Sequence, residues 1–194
     1  MAEMMKGNEA IAEAAIRAGA RFYAGYPITP SSEIMEYLSW RMNEVGGAFV
    51  QAESELAGIN MVIGASSCGV RALTASSGPG ISLKQEGIST LCDEGLPAVV
   101  ITQVRYGNGL GTLFTSQCDY HRETRGGGQG DYRCIVLCPS SIQEFVDLML
   151  PAYELAEKYR IVTIMMGEGT LGQMMEPVEL PDFVEPKRIP WALN

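Results

Sequence analysis

The stretch QAESEL, residues 51–56, sets two carboxylates, Glu53 and Glu55, one residue apart. The preceding AFVQ (48–51) reads as a strand and the residues that follow as a helix. Carboxylates at such a junction project into the crevice at a sheet's edge, where they can exchange protons with a bound group. The plainer alternative is that acids suit a helix's first turn because they complement its dipole. Residue type alone does not choose between Glu53 and Glu55.

Two more stretches offer binding chemistry. FYAGYPITPSSEI (22–34) fixes its backbone at Pro27 and Pro30 and presents the hydroxyls of Thr29, Ser31 and Ser32. A rigid platform of hydroxyls suits a ligand. The same pattern suits a helix start, with Thr29 as cap and Pro30 at the first helical position. Arg105, in ITQVRYGNG, directly follows an apolar strand and precedes glycines. It is placed either to clamp a carboxylate in bidentate fashion or to pair with a neighbouring acid.

Other chemistries are poorly served. The one histidine, His121, lies in the polar run DYHRETR without a nucleophile elbow and reads as a surface residue. GNGLG (107–111) has Thr112 where a dinucleotide fingerprint needs its third glycine, and no GxxxxGK[ST] occurs. The five cysteines (Cys68, Cys92, Cys118, Cys134, Cys138) form no CxxC. That argues against a disulfide framework and against a zinc or iron–sulfur site. Cys134 and Cys138 flank IVL and are expected as buried thiols on one strand face.

The elements that must position these residues follow from periodicity. Helices are expected at 8–18, 31–45, 54–67, 81–92 and 140–159, the last opened in capping-box spacing by Ser140 or Ser141 with Glu144, and bent at Pro151. Strands are expected at 21–25, 48–51, 70–75, 97–103, 134–139 and 161–166. Short apolar strands alternating with helices predict an α/β fold, a mostly parallel sheet of about six strands with helices on both faces. Its sites lie at the carboxyl ends of the strands, here 25–30, 52–55, 76–80, 104–112 and 167–169. Residues 1–175 are read as this domain. Residues 176–194, with four prolines and neither period, are read as a linker toward a further domain or partner.

Composition bounds the rest. The net charge of −9, without a basic run, disfavours nucleic acid and anionic membranes as partners. No apolar stretch reaches the roughly 18 residues of a membrane helix. The amino terminus lacks the layout of a signal peptide, so the cytoplasm is the expected compartment. The 11 methionines suit an adaptable core or interface.

Taken together, GNEAIAEAAIRAG, YAGYPITPSSEI, QAESELAGINMVIGAS, TASSGPGISLKQEGI, GGGQGDYR and VLCPSS resemble the α subunit of 2-oxoacid:ferredoxin oxidoreductases, in its amino-terminal pyrimidine-binding domain. Among subfamilies the chain is most similar to the 3-methyl-2-oxobutanoate type. The resemblance implies oxidative decarboxylation of a 2-oxoacid, with coenzyme A as co-substrate and ferredoxin as electron acceptor. Alternatives are another 2-oxoacid (2-oxoglutarate, pyruvate or an aryl 2-oxoacid) or a non-catalytic module of the same fold.

It implies thiamine diphosphate shared with a β subunit that supplies the diphosphate and Mg2+ site. Iron–sulfur and γ subunits complete a hetero-oligomer that also dimerises. GEG (167–169) with Asn194 only approximates the family's diphosphate motif, and no metal ligand is assigned to this chain. By motif, Glu55 is the catalytic acid on the cofactor's pyrimidine nitrogen. Pro27 lines the pyrimidine pocket, and Thr29 and Arg105 bind the substrate. The LGTLFTSQCDY stretch departs from the pattern of the 2-oxoglutarate enzymes.

Overall fold

Strands that are apolar on both faces need cover on both sides, and the chain supplies it by alternating strand and helix. A computed structural model describes residues 2–185. In chain order the elements are β1 (Glu3–Lys6), α1 (Gly7–Arg17), β2 (Phe22–Gly25), α2 (Ser32–Glu44) and β3 (Ala48–Gln51). There follow α3 (Glu55–Ser67), β4 (Ala72–Ser76), α4 (Gly78–Asp93), β5 (Ala98–Val104) and α5 (Tyr120–Arg125). Last come β6 (Ile135–Leu137), α6 (Ile142–Tyr159), β7 (Val162–Glu168), α7 (Gly169–Gln173) and β8 (Met175–Val178). Six strands form one sheet in the order β3-β2-β4-β5-β7-β6, with every neighbouring pair parallel. This is the α/β architecture expected from the sequence.

Side-chain alternation divides the core. On one face Tyr23, Leu73, Val99, Ile101 and Met165 pack against α1, α2 and α6. On the other, Ala24, Ala72, Val100, Val162 and Ile164 meet Ile59 and Val62 of α3 and Ile81, Ile88 and Leu91 of α4. The whole of β5, AVVITQV, is buried. Helix starts follow local chemistry. Ser54 caps α3 by accepting from the Ala57 N–H at 3.1 Å. Ser141 accepts from the Glu144 N–H at 3.1 Å, while the Glu144 carboxylate takes the Ser140 N–H and hydroxyl at 2.7 Å each, which is the reciprocal cap expected there. The helix α6 runs on through Pro151 to Tyr159.

Four short elements escape the sequence reading. β1 pairs with β8 antiparallel as a separate two-stranded sheet. Met175–Val178 is therefore a strand, although 176–178 fall in the stretch read as a connector. The chain beyond also packs back: Arg17 donates to the Pro181 carbonyl at 2.8 Å and the Val184 N–H to the Arg17 carbonyl at 2.8 Å. Residues 186–194, Asn194 among them, lie outside the described residues. The helices α5 and α7, of six and five residues, are too short to show a period.

The cysteine expectation is corrected. β6 spans only Ile135–Leu137, so Cys134 and Cys138 lie beyond its two ends. Cys138 is exposed, and half-buried Cys134 faces Cys92 with 3.8 Å between the sulfurs.

Candidate functional site

The site begins where β2 and β3 end side by side. Gly25 pairs with Gln51 in register, so Tyr26–Pro30 and Ala52–Glu55 leave the sheet as neighbours, and the Ala52 N–H donates to the Gly25 carbonyl at 2.9 Å. Gly58 of α3 lies close against this strand end. A Cβ there would stand 3.2 Å from the Gly25 Cα, so a side chain at 58 would require α3 and β2 to part by a few tenths of an ångström.

Glu55 is the first residue of α3 and is 6% exposed, whereas Glu53 is exposed. The structure thus separates the two acids that residue type left equivalent. Among the described residues no donor meets the Glu55 carboxylate. Its flank is Gly80, in the first turn of α4, where a Cβ would fall 2.7 Å from Glu55 Oε1 and clash with the Ser76 hydroxyl. The hydroxyls of Ser76 and Ser77 are buried without a hydrogen-bond partner among the described residues.

Two residues back, Gly78 faces Arg105 across the same turn. Its φ is +43°, and a Cβ would sit 2.9 Å from Arg105 Nε. Arg105 donates from Nη1 to the Thr29 carbonyl at 2.7 Å and from Nη2 to the Leu110 carbonyl at 2.6 Å. Its Nε has no acceptor among the described residues. With two of five donors engaged, the guanidinium joins the 26–31 turn to the 106–118 loop and keeps donors for an anion. The ion pair with a neighbouring acid, the plainer reading of Arg105, does not form among the described residues.

Thr29 is exposed and joined to Pro30 by a cis peptide bond. It does not cap the next helix as expected. α2 starts at Ser32 with Ser31 as its N-terminal flank, and the Ser31 hydroxyl donates to the Ile28 carbonyl at 2.9 Å. The turn is fixed from behind instead. The Pro30 carbonyl accepts from Asn8 Nδ2 at 2.7 Å and from Gln173 Nε2 at 3.3 Å. Asn8 and Gln173 also donate to the two Glu33 oxygens at 2.9 Å each, and Gln103 donates to Asn8 at 2.9 Å. Burial pushes the Glu33 carboxyl up, but Gln173, its own backbone N–H, Asn8 and the charge of Lys6 outweigh it and hold the group below its ordinary range. Pro27 lies half-buried in the same turn. Gly169 closes the turn's other side, packed on the Pro30 ring and the Val104 carbonyl.

Sequence reasoning missed one residue here. Lys84 is fully buried and donates from Nζ to the Glu55 carbonyl at 3.3 Å. Burial pushes its ammonium down to about 8, against the pull of the Glu55 charge. An open cavity of about 350 Å³ adjoins the ends of β5 and β7, lined by Val104, Gln117, Tyr120, Cys138 and Glu168. A larger one, about 600 Å³, lies at the opposite edge of the sheet by Cys92, Tyr132 and Ile161, away from this chemistry. His121 is exposed on α5.

A parallel sheet whose carboxyl edge gathers a buried acid, a turn-presented hydroxyl and an arginine over a glycine-lined helix start belongs to the α/β proteins that bind a cofactor at that edge. The chain belongs to the pyruvate flavodoxin/ferredoxin oxidoreductase family, in its thiamine diphosphate-binding domain, whose model matches residues 13–190. It is 53% identical over 180 residues to ketoisovalerate oxidoreductase subunit VorB of Methanothermobacter marburgensis, covering 93% of this chain and 51% of that protein. It is 46% identical over 184 residues to 2-oxoglutarate synthase subunit KorA of Methanocaldococcus jannaschii, covering 94% and 50%. The chain thus spans about half the length of the curated relatives it matches. Among solved structures, 2-oxoglutarate:ferredoxin oxidoreductase from Magnetococcus marinus, with 2-oxoglutarate, coenzyme A and succinyl-CoA bound, superposes with a TM-score of 0.91 at 32% identity, over 96% of this chain and 33% of that one.

The residues present fit the pyrimidine half of thiamine diphosphate. A ring nitrogen needs a carboxyl group with no competing donor, and Glu55 is one. Gly78 and Gly80 let the Arg105 side chain and the Glu55 carboxyl pack directly on the start of α4, which holds both groups at the same strand ends.

Proposed function

We propose that this chain is the pyrimidine-binding domain of the α subunit of a 2-oxoacid:ferredoxin oxidoreductase acting on a branched-chain 2-oxoacid. The overall reaction joins the 2-oxoacid and coenzyme A into acyl-CoA and CO2, with two electrons passed to ferredoxin. The observation that carries the reading is the Glu55 carboxylate, buried, unmet by a donor and set beside the Thr29–Arg105 turn.

Bound thiamine diphosphate supplies a carbon nucleophile and an electron sink for decarboxylation. Glu55 shares a proton with the pyrimidine ring nitrogen at a carboxylate oxygen. Arg105 offers its remaining donors to the substrate carboxylate. The Thr29 hydroxyl meets the carboxylate or keto oxygen, and Pro27 lines the pyrimidine pocket. The greater identity to the ketoisovalerate subunit than to the 2-oxoglutarate subunits supports a branched-chain substrate. The Magnetococcus structure supports 2-oxoglutarate as the second choice.

The diphosphate, Mg2+ and iron–sulfur clusters belong to partner subunits in this reading. The remainder of the protein lies outside this domain, in keeping with the length of the relatives, and the enzyme works in the cytoplasm. Leu56 beside Glu55 and Tyr106, Leu110, Leu113 and Phe114 in the loop after Arg105 are exposed, apolar surface of the kind a partner subunit covers. The test is Glu55→Gln in the assembled enzyme, assayed on a panel of 2-oxoacids with coenzyme A and a viologen acceptor. Wild type is expected to prefer 3-methyl-2-oxobutanoate, and the variant to assemble yet lose about a hundredfold or more in turnover. Full turnover by the variant would remove Glu55 from the chemistry.

A further inference from the structure

Lys84 has no part in the reading above, yet it lies against its central residue. Lysines are almost never fully buried unless paired, and Lys84 follows Leu83, which is 55% exposed, on α4. It is nevertheless 0% exposed. Among the described residues its one side-chain hydrogen bond goes from Nζ to the main-chain carbonyl of Glu55, at 3.3 Å. The ammonium lies beside Gly58, where a Cβ would stand 3.4 Å from Nζ and 3.2 Å from the Gly25 Cα. One turn before Lys84 on the same helix face, Gly80 touches the Glu55 carboxylate itself. α4 thus holds Glu55 at two points: a bare wall on the side chain and an ammonium on the backbone.

We propose that Lys84 is a positioning residue that sets the orientation of Glu55, by pinning the first peptide of α3 from the neighbouring helix. The inference rests on the cofactor role proposed for Glu55 and adds the group that aims it. Two features argue for such a role over plain packing. A buried ammonium with a single long bond is a poor way to fill a core, because the charge is desolvated and its other donors go unmet. The burial-driven drop toward neutrality agrees with that cost. Misaiming a proton-sharing group by a fraction of a turn slows chemistry far more than it weakens a cofactor held mainly through its diphosphate.

The experiment compares wild type with Lys84→Met in the assembled enzyme. Methionine keeps the stem's volume and deletes the ammonium. Three readouts are taken: exchange of the thiazolium C2 proton of bound thiamine diphosphate with deuterium, followed by NMR after quench; affinity for thiamine diphosphate; and melting temperature. The expected result is exchange slowed about tenfold or more, affinity close to wild type, and a melting temperature equal or higher. Exchange at the wild-type rate in the variant overturns the role of Lys84 alone. A wild-type enzyme that neither binds thiamine diphosphate nor exchanges the proton overturns the cofactor reading itself. Should Lys84→Met fail to assemble, Lys84→Gln, which keeps a donor on a shorter stem, carries the same comparison. Its exchange is expected between those of wild type and a fully misaligned site, and a wild-type rate there counts against the proposal.

Discussion

Burial pushes the Lys84 ammonium from its ordinary 10.5 down to about 8, with the Glu55 charge pulling the other way. A drop of that size weakens the fold by about 3 kcal/mol while both folded and unfolded chains carry the proton. Below pH 8 that full cost is present. Between pH 8 and 10.5 the unfolded chain still holds the proton and the folded one has released it, so the cost shrinks as pH rises. Denaturation of wild type and Lys84→Met at a series of pH values checks this. The variant is expected to be the more stable at pH 7, with the gap closing toward pH 10. A gap that is flat with pH would show that Lys84 does not titrate as the structure requires. Glu55 illustrates a different residue-scale lesson. Its motif marks a pair of acids, and only the start of α3 decides that one is buried and the other exposed.

At the scale of elements, the site is an arrangement of strand ends and helix starts. α4 matters most, since its first turn presents Gly78 to Arg105 and Gly80 to Glu55. Gly80→Ala would set a methyl against the Ser76 hydroxyl and 2.7 Å from Glu55 Oε1, in a helical position that alanine's own backbone preferences favour. The helix itself should therefore be unharmed and the Glu55 carboxyl displaced. Thiamine diphosphate titration of the assembled variant should show affinity or turnover lowered by about tenfold or more, and wild-type values would mean that α4 does not wall the site.

The elements carrying a strong local pattern were legible in the sequence: the buried run of β5, the alanine stripe of α1 and the Ser–Glu cap of α6. β1 and β8 were not, because two four-residue strands from opposite ends of the chain create their pattern only on pairing. The Thr29 cap failed for a related reason. The 26–31 turn is held by Asn8, Gln173 and Arg105 from distant elements, and those contacts set where α2 begins. Lys84 was illegible because it lies on the buried face of α4 with Ile81, Ile88 and Leu91, where residue type argues against a lysine.

For the whole molecule, the exposed apolar residues around the site and the length shared with the relatives point the same way. Leu110 is 80% exposed and Phe114 76%, both in the loop that Arg105 ties to Thr29 through the Leu110 carbonyl. The chain spans about half of the matched relatives, and no described helix is long and apolar enough to cross a membrane. On the function proposed above, Glu55 belongs to one half of a site that a second polypeptide completes. The most direct measurement is an experimental structure of the assembled enzyme with thiamine diphosphate bound. A Glu55 carboxylate oxygen is expected at hydrogen-bond distance, about 3 Å, from a pyrimidine nitrogen. A ring seated elsewhere, with Glu55 turned into an ion pair of its own, would contradict it.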